Sequence, residues 1–170
     1  MLCQKNRDYG QSYITCRTFV KKEQMGVADI LAKRRREAGE LNLFEGFKFQ
    51  EENAKREGVT TTKSGLQYEV LVSSDGWQPG PKDKVVCHYH GTNIHGEVFD
   101  SSVERGKPAE FPLNKVIKGW QEGVQLMGVN SKFRFVIPPD LAYGEEAISK
   151  EIGPNSTLIF EVTLLDIKKK

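Results

Sequence analysis

The sequence predicts an α+β fold: an antiparallel sheet wrapped on one short helix, preceded by a long N-terminal helix. Three observations carry this. Apolar and polar residues alternate over 66–72, 84–90, 132–137 and 157–167, the two-residue period of half-buried strands. A single short stretch among them, 118–127, puts Trp120, Val124 and Met127 at i, i+4 and i+7 on one helical face. From about Val27 to Arg56 there is no proline, and Ala, Leu, Glu, Lys and Arg dominate, as in a continuous helix. A run of strands with one helix set among them is the α+β pattern.

Taken in order, residues 1–25 show no sustained period despite Tyr13, Ile14, Phe19 and Val20, and read as loosely structured. In the helix, Val27, Ile30 and Leu31 begin an apolar stripe that Ala38, Leu41, Phe44 and Phe47 continue at steps of three. Gly39 and Gly46 each cost about 1 kcal/mol relative to alanine, so either marks a candidate break. A helix leaving a compact domain touches it with its last turns only. The stripe lies nearer the start, which calls for a second subunit: a homodimer through this helix, with two-fold symmetry the commonest arrangement. The basic run Lys33-Arg34-Arg35-Arg36 reads as a solvated helix face rather than a nucleic-acid contact. Gly58 suits a helix stop. The polar connection 60–65 marks the boundary between an N-terminal segment, 1–59, and a domain, 60–170.

Leu66, Tyr68, Val70 and Val72 form the inner side of the first strand of the domain. In the next, Cys87 and Tyr89 share one face, His88 and His90 the other. Gly91 reads as the end of that run and Gly96 as the turn after Asn93-Ile94-His95. Val98-Phe99 then delivers Asp100, so that Tyr89, Phe99 and Asp100 line one concave surface. A single carboxylate among aromatics suits an amide or a polar ring. Residues 108–112 form a short edge piece, and Gly128 suits a left-handed position after the short helix. Pro138-Pro139 ends a strand, and 142–154 is a long loop.

The formal net charge is +2, which demands neither nucleic acid nor anionic membrane as a partner. No apolar run has membrane-spanning length. The N-terminus lacks a signal-like apolar core, and Cys3, Cys16 and Cys87 have no framework spacing. The expected compartment is therefore the cytoplasm, or the periplasm if a native signal precedes this start. His88, His90 and His95 with Cys87 fall short of a closed metal site, because Cys87 points away from the histidines and no CxxC pair exists. No phosphate loop or Ser/His/Asp set is present, and no cofactor is expected.

Four motifs in order carry a resemblance: YHG…G…FDSS at 89–102, VIKGWQEGVQLM at 116–127, PPDLAYG at 138–144 and TLIFEVTLLDI at 157–167. Together they resemble the FKBP-type peptidyl-prolyl cis–trans isomerases, from about Thr60 onward. With FQEENAKREGV before them they look most like the bacterial branch containing the macrophage infectivity potentiator. Taken singly, Phe99, Trp120 and Phe160 would be core packing, Asp100 a turn residue and Tyr143 a loop tyrosine; only their joint order says otherwise. The resemblance implies a strongly bent sheet half-enclosing the short helix, and a pocket for proline-containing polypeptides. It implies that Tyr89, Phe99, Asp100 and Tyr143 act on the substrate, and that Arg105, Phe111, Val116, Ile117, Trp120, Ile152 and Phe160 bind it. Trp120 would be the floor and Phe99 and Phe160 the walls. The Ile117 N–H and the Tyr143 hydroxyl would bind substrate carbonyls, and Asp100 would face the twisting amide, held by Tyr89 and Arg105.

Macrolide inhibitors such as rapamycin and tacrolimus are the implied ligands. The chain departs from the family pattern at EEAISKEI after Gly144 and at Ala109, both on the rim, where they bear on substrate preference and inhibitor affinity. A competing function is a non-catalytic chaperone or binding module that holds unfolded chains with the same pocket and the N-terminal helix. Because the pocket residues all follow Thr60, the helix is expected to be dispensable for short peptides and needed for unfolded clients.

Overall fold

The computed structural model describes residues 26–169; the readings made for 1–25, Cys3 and Cys16 among them, lie outside these. The helix α1, Val27–Ala54, runs unbroken for 28 residues. A turn follows, closed by Gly58 at φ +83°. The strands are β1 (Val59–Thr61), β2 (Gln67–Val72), β3 (Lys84–Asn93), β4 (Val98–Ser101), β5 (Ala109–Pro112), β6 (Lys132–Ile137) and β7 (Leu158–Lys168), with α2 (Lys118–Gly123) between β5 and β6. They form one seven-stranded sheet in the order β1-β2-β6-β7-β3-β4, with β5 also paired to β3. Every pairing is antiparallel. The thin connection at Thr60 and Thr61 is thus a strand on the sheet edge. Among the described residues no helix is long and apolar enough to cross a membrane.

Alternation decides which side of the sheet holds the core. Val85, Cys87 and Tyr89 of β3, Phe133, Phe135 and Ile137 of β6, and Leu158, Phe160, Val162 and Leu164 of β7 are buried with Trp120, Val124 and Met127. Burying each such side chain contributes roughly 1.5–3 kcal/mol. The helix α2 settles directly on β6 because Gly119 and Gly123 present no Cβ to Ile137 and Phe135. Register shifts in β3, opposite β7 between Val86 and Cys87 and opposite β4 between Gly91 and Thr92, bend the sheet over this helix.

Several local expectations are corrected. Gly91 does not end β3; it sits within it, opposite Asp100 of β4 and Phe160 of β7, and the strand continues to Asn93. Gly128 is required by close approach rather than by a left-handed turn: a Cβ there would lie 2.6 Å from the Ser74 carbonyl oxygen. In β2 only the first part is covered, since Val70 and Val72 are exposed beyond the last β1 pair at Glu69. Neither Gly39 nor Gly46 breaks α1, and both are buried.

Those two glycines lie against Pro154, Asn155 and Thr157, the segment that leads into β7, so the helix reaches the domain with far more than its last turns. Asn53 Nδ2 donates to Gln67 Oε1 at 2.7 Å, and Gln67 Nε2 donates to the Gln50 carbonyl at 2.9 Å. Val136 and Ile159, which follow Gln67 across the sheet, are buried on the same side as Gln67. Further up, Glu45 faces His95 at 3.4 Å. The apolar stripe points elsewhere: Leu41 is 55%, Phe44 69% and Phe47 64% exposed.

Candidate active site

One side of the curved sheet, α2 and the loop after β6 enclose a cleft of about 500 Å³. Tyr89 from β3 and Phe160 from β7 stand beneath it because both point inward from adjacent, hydrogen-bonded strands. Trp120, in the first turn of α2, lies between them. The ring centres of Tyr89, Phe111 and Phe160 lie 5.5, 5.8 and 5.3 Å from that of Trp120, with planes crossed at 84°, 86° and 85°. Phe99 crosses Phe160 at 5.3 Å and 80°. Each crossed pair adds about 0.5–1.5 kcal/mol beyond burial, so the floor is rigid. The Trp120 Nε1–H is buried and has no hydrogen-bond partner among the described residues.

At one rim stands Asp100. Its Oδ2 accepts from the Tyr89 hydroxyl at 2.5 Å, and its Oδ1 is paired with Arg105. Arg105 Nη2 also donates to the Tyr89 oxygen at 2.8 Å. Burial alone would raise the Asp100 carboxyl, but the hydrogen bonds from Tyr89 and Arg105 and the guanidinium charge outweigh it and hold it below the usual carboxylate range. Tyr89 moves the other way, pushed up first by burial and then by its bond to Asp100. Asp100 therefore stays ionised and fixed, a poor proton carrier.

A carboxyl lowered in the folded state stabilises it fully above the unfolded value, about 3.9, and loses that contribution only as pH falls through the lower folded value. Acid titration of the protein should accordingly leave this rim intact at mildly acidic pH. A tyrosine signal tied to the Asp100–Arg105 pair that disappeared already near about pH 6 would contradict it.

Two donors face the cleft unpaired. The N–H of Ile117, just ahead of α2, has no hydrogen-bond partner among the described residues, nor does the Tyr143 hydroxyl. Burial and the nearby Asp100 charge keep Tyr143 protonated. Of the residues singled out from sequence, Tyr89, Phe99, Asp100, Phe111, Val116, Ile117, Trp120, Tyr143, Ile152 and Phe160 all line this cleft; Arg105 stands behind Asp100 instead. Lys115, Ile148 and Ser149 also line it and escaped sequence reasoning. The last two sit in the atypical EEAISKEI loop, where Ile148 N–H donates to the Ile152 carbonyl at 2.9 Å. His88 and His90 pair with Ser102 and Ser101 at 3.1 and 3.0 Å. Among the described residues no three His, Cys, Asp or Glu converge.

A profile of the FKBP-type peptidyl-prolyl cis-trans isomerase matches residues 76–165. The chain belongs to this family. A second profile, the domain amino terminal to FKBP-type peptidyl-prolyl isomerase, matches 8–70 and corrects the view that the likeness begins near Thr60.

The FKBP-type 22 kDa peptidyl-prolyl cis-trans isomerase of Escherichia coli K12 is 53% identical over 78% of this chain and 65% of its own. The outer membrane protein MIP of Legionella longbeachae is 42% identical over 83% and 62%. Among solved structures, FkpA from Escherichia coli superposes with a TM-score of 0.77 at 36% identity, covering 85% of this chain and 74% of that one. A Pseudomonas syringae peptidyl-prolyl cis-trans isomerase gives 0.71 at 32%, covering 76% and 96%. The chain spans about half to two thirds of the length of the curated FKBP-type relatives it matches.

Proposed function

We propose that this protein accelerates cis–trans rotation about X-Pro bonds in polypeptides. The supporting observation is the crossed-ring cleft, closed on one rim by the pinned Asp100 and carrying the unpaired Ile117 N–H and Tyr143 hydroxyl. Rotation must overcome a barrier of about 18–20 kcal/mol set by amide resonance. The twisted amide has lost that resonance and its carbonyl carries less separated charge. A dry aromatic cleft therefore disfavours the planar ground state more than the twisted one, without nucleophile or proton transfer. In this reading the proline ring lies on Trp120 between Phe99 and Phe160. The Ile117 N–H and Tyr143 hydroxyl hold flanking carbonyls, and the fixed carboxylate orients the rotating amide. Exchange rates between the two isomers of a short X-Pro peptide, read by NMR, test this. Catalysed exchange that rapamycin or tacrolimus abolishes is expected; exchange no faster than in buffer overturns it.

The same drugs should change the emission of Trp120. Trp77 is 77% exposed, lies under Lys169 at 4.7 Å and contributes a constant background. Unaltered fluorescence from an active protein at saturating drug would remove Trp120 from the floor.

A second use, holding unfolded chains or a second subunit, is supported by the outward face of Leu41, Phe44 and Phe47. Sedimentation at rising concentration, beside a refolding assay, tests both occupants. For the compartment, the relative named an outer membrane protein favours the cell envelope over the cytoplasm expected above. Cys87 is compatible with either, since burial pushes its thiol up to about 12 and leaves it unreactive. Cell fractionation decides.

A further inference from the structure

The loop between β6 and β7 supplies Tyr143, Ile148 and Ile152 to the cleft, and both of its feet rest on α1. At the first foot, Arg35 donates to the Glu145 carbonyl at 3.1 Å. At the second, Asn42 Nδ2 donates to the Pro154 carbonyl at 2.8 Å. Gly39 lies under the same foot: a Cβ there would come 3.1 Å from the Asn155 side-chain nitrogen and 3.5 Å from Pro154. Gly46 lies on Thr157, where a Cβ would fall 2.3 Å from the hydroxyl oxygen. Gln50 Nε2 donates to that hydroxyl at 3.1 Å. The feet are tied to each other, because the Asn155 N–H donates to the Gly144 carbonyl at 2.7 Å. Gly144 directly follows Tyr143, and Pro154 closely follows Ile152. Positions 35, 39, 42, 46 and 50 recur at steps of three and four, so a single face of α1 makes every one of these contacts.

We infer that α1 positions the cleft loop: Arg35, Gly39, Asn42 and Gly46 set how Tyr143 and Ile152 are presented to the ligand. The inference rests on the cleft being where the X-Pro segment binds. None of these α1 residues lines the cleft; they act through the loop and are positioning residues. The consequence reverses the expectation that the helix is dispensable for short peptides. Loosening the seam frees Tyr143 and Ile152 but leaves the crossed rings and Asp100 in place. Ligand binding suffers, and the rotation step much less.

The test uses the full chain. Gly46→Ala improves the helix former at its position while driving a methyl into the Thr157 hydroxyl; Asn42→Ala removes the bond to Pro154. Combined, they should raise KM for an X-Pro peptide about three- to ten-fold, with kcat nearly constant. The melting temperature should fall only modestly, as overpacking against the buried Thr157 requires, and the Tyr143, Gly144 and Ile152 amide resonances should move. Adding Thr157→Gly to Gly46→Ala makes room for the methyl and should restore KM. A wild-type chain with no isomerase activity would sink the reading of the cleft itself. An active wild type whose double variant keeps KM and these resonances unchanged overturns the brace. So does a variant in which kcat and melting temperature fall together, since that reports general damage.

Discussion

A Gly91→Val variant should lose about a hundredfold in kcat/KM on an X-Pro peptide, the scale on which displacing a binding surface by about 1 Å is felt. The site leaves no room for a side chain. Even one Cβ would sit 2.7 Å from two ring carbons of Phe99 and 2.9 Å from one of Phe160. Neither neighbour is a flexible chain end. Phe160 is buried against Trp120 and Tyr89, so it cannot swing aside without opening the floor. Phe99 can move only toward the cleft or toward solvent, and either removes a wall. Overpacking of this kind also costs about 1–3 kcal/mol of stability. The measurements are kcat/KM and a thermal melt on the same preparation. Wild-type kcat/KM in the valine variant would mean that Phe99 and Phe160 do not shape the bound substrate.

Asp100→Leu should reduce kcat/KM by about ten- to a hundredfold while the fold persists. A hydrogen bond to a charged group is worth about 1.5–3 kcal/mol, and each 1.4 kcal/mol is a factor of ten. The variant removes the acceptor for the Tyr89 hydroxyl and the partner of Arg105 together. Asp100 is partly exposed, so water can take up the two freed donors, and the melting temperature should change little. Tyr89→Phe removes one of these links and leaves the ion pair, and its loss should be smaller than that of Asp100→Leu. Unchanged kcat/KM in a folded Asp100→Leu protein would exclude the carboxylate from the mechanism.

The core was readable because its signal is periodic. Val85-Cys87-Tyr89 and Phe133-Phe135-Ile137 alternate as strands must, and Trp120, Val124 and Met127 are all buried as their helical spacing suggested. The α-helix expected over 118–127 nevertheless stops at Gly123; a 3-10 turn carries Val124–Leu126 and Met127 is extended. The cleft followed from motifs whose members are far apart in sequence but ordered. What stayed hidden was contact without apolarity. Gly39, Asn42, Gly46, Gln50 and Asn53 fall on one face of α1 at steps of three and four, yet they are glycines and amides. Attention to Leu41, Phe44 and Phe47 picked out the face that points away from the domain. Gln67 escaped for the same reason: it sits where a solvent-facing residue was expected and is buried by bonding to Asn53 and Gln50. Gly91 shows another limit, since a glycine that ends a strand and one over which two rings close look alike in sequence. Lys115, Ile148 and Ser149 reach the cleft through turns that carry no period.

The position of β7 has a consequence for how the chain is made. This last strand lies inside the sheet, between β6 and β3, and pairs residues near 84 with those near 168. Until it leaves the ribosome, β1-β2-β6 and β3-β4-β5 are separate pieces that share no ladder, and Phe160 is missing from between them. The sheet can therefore close only after synthesis has passed β7, and it must do so through contacts of long sequence separation, which puts the domain among slow folders, on the order of milliseconds to seconds. A nascent chain stalled just before residue 158 should resist protease no better than an unfolded one, with protection arriving in a single step once β7 is clear of the exit tunnel.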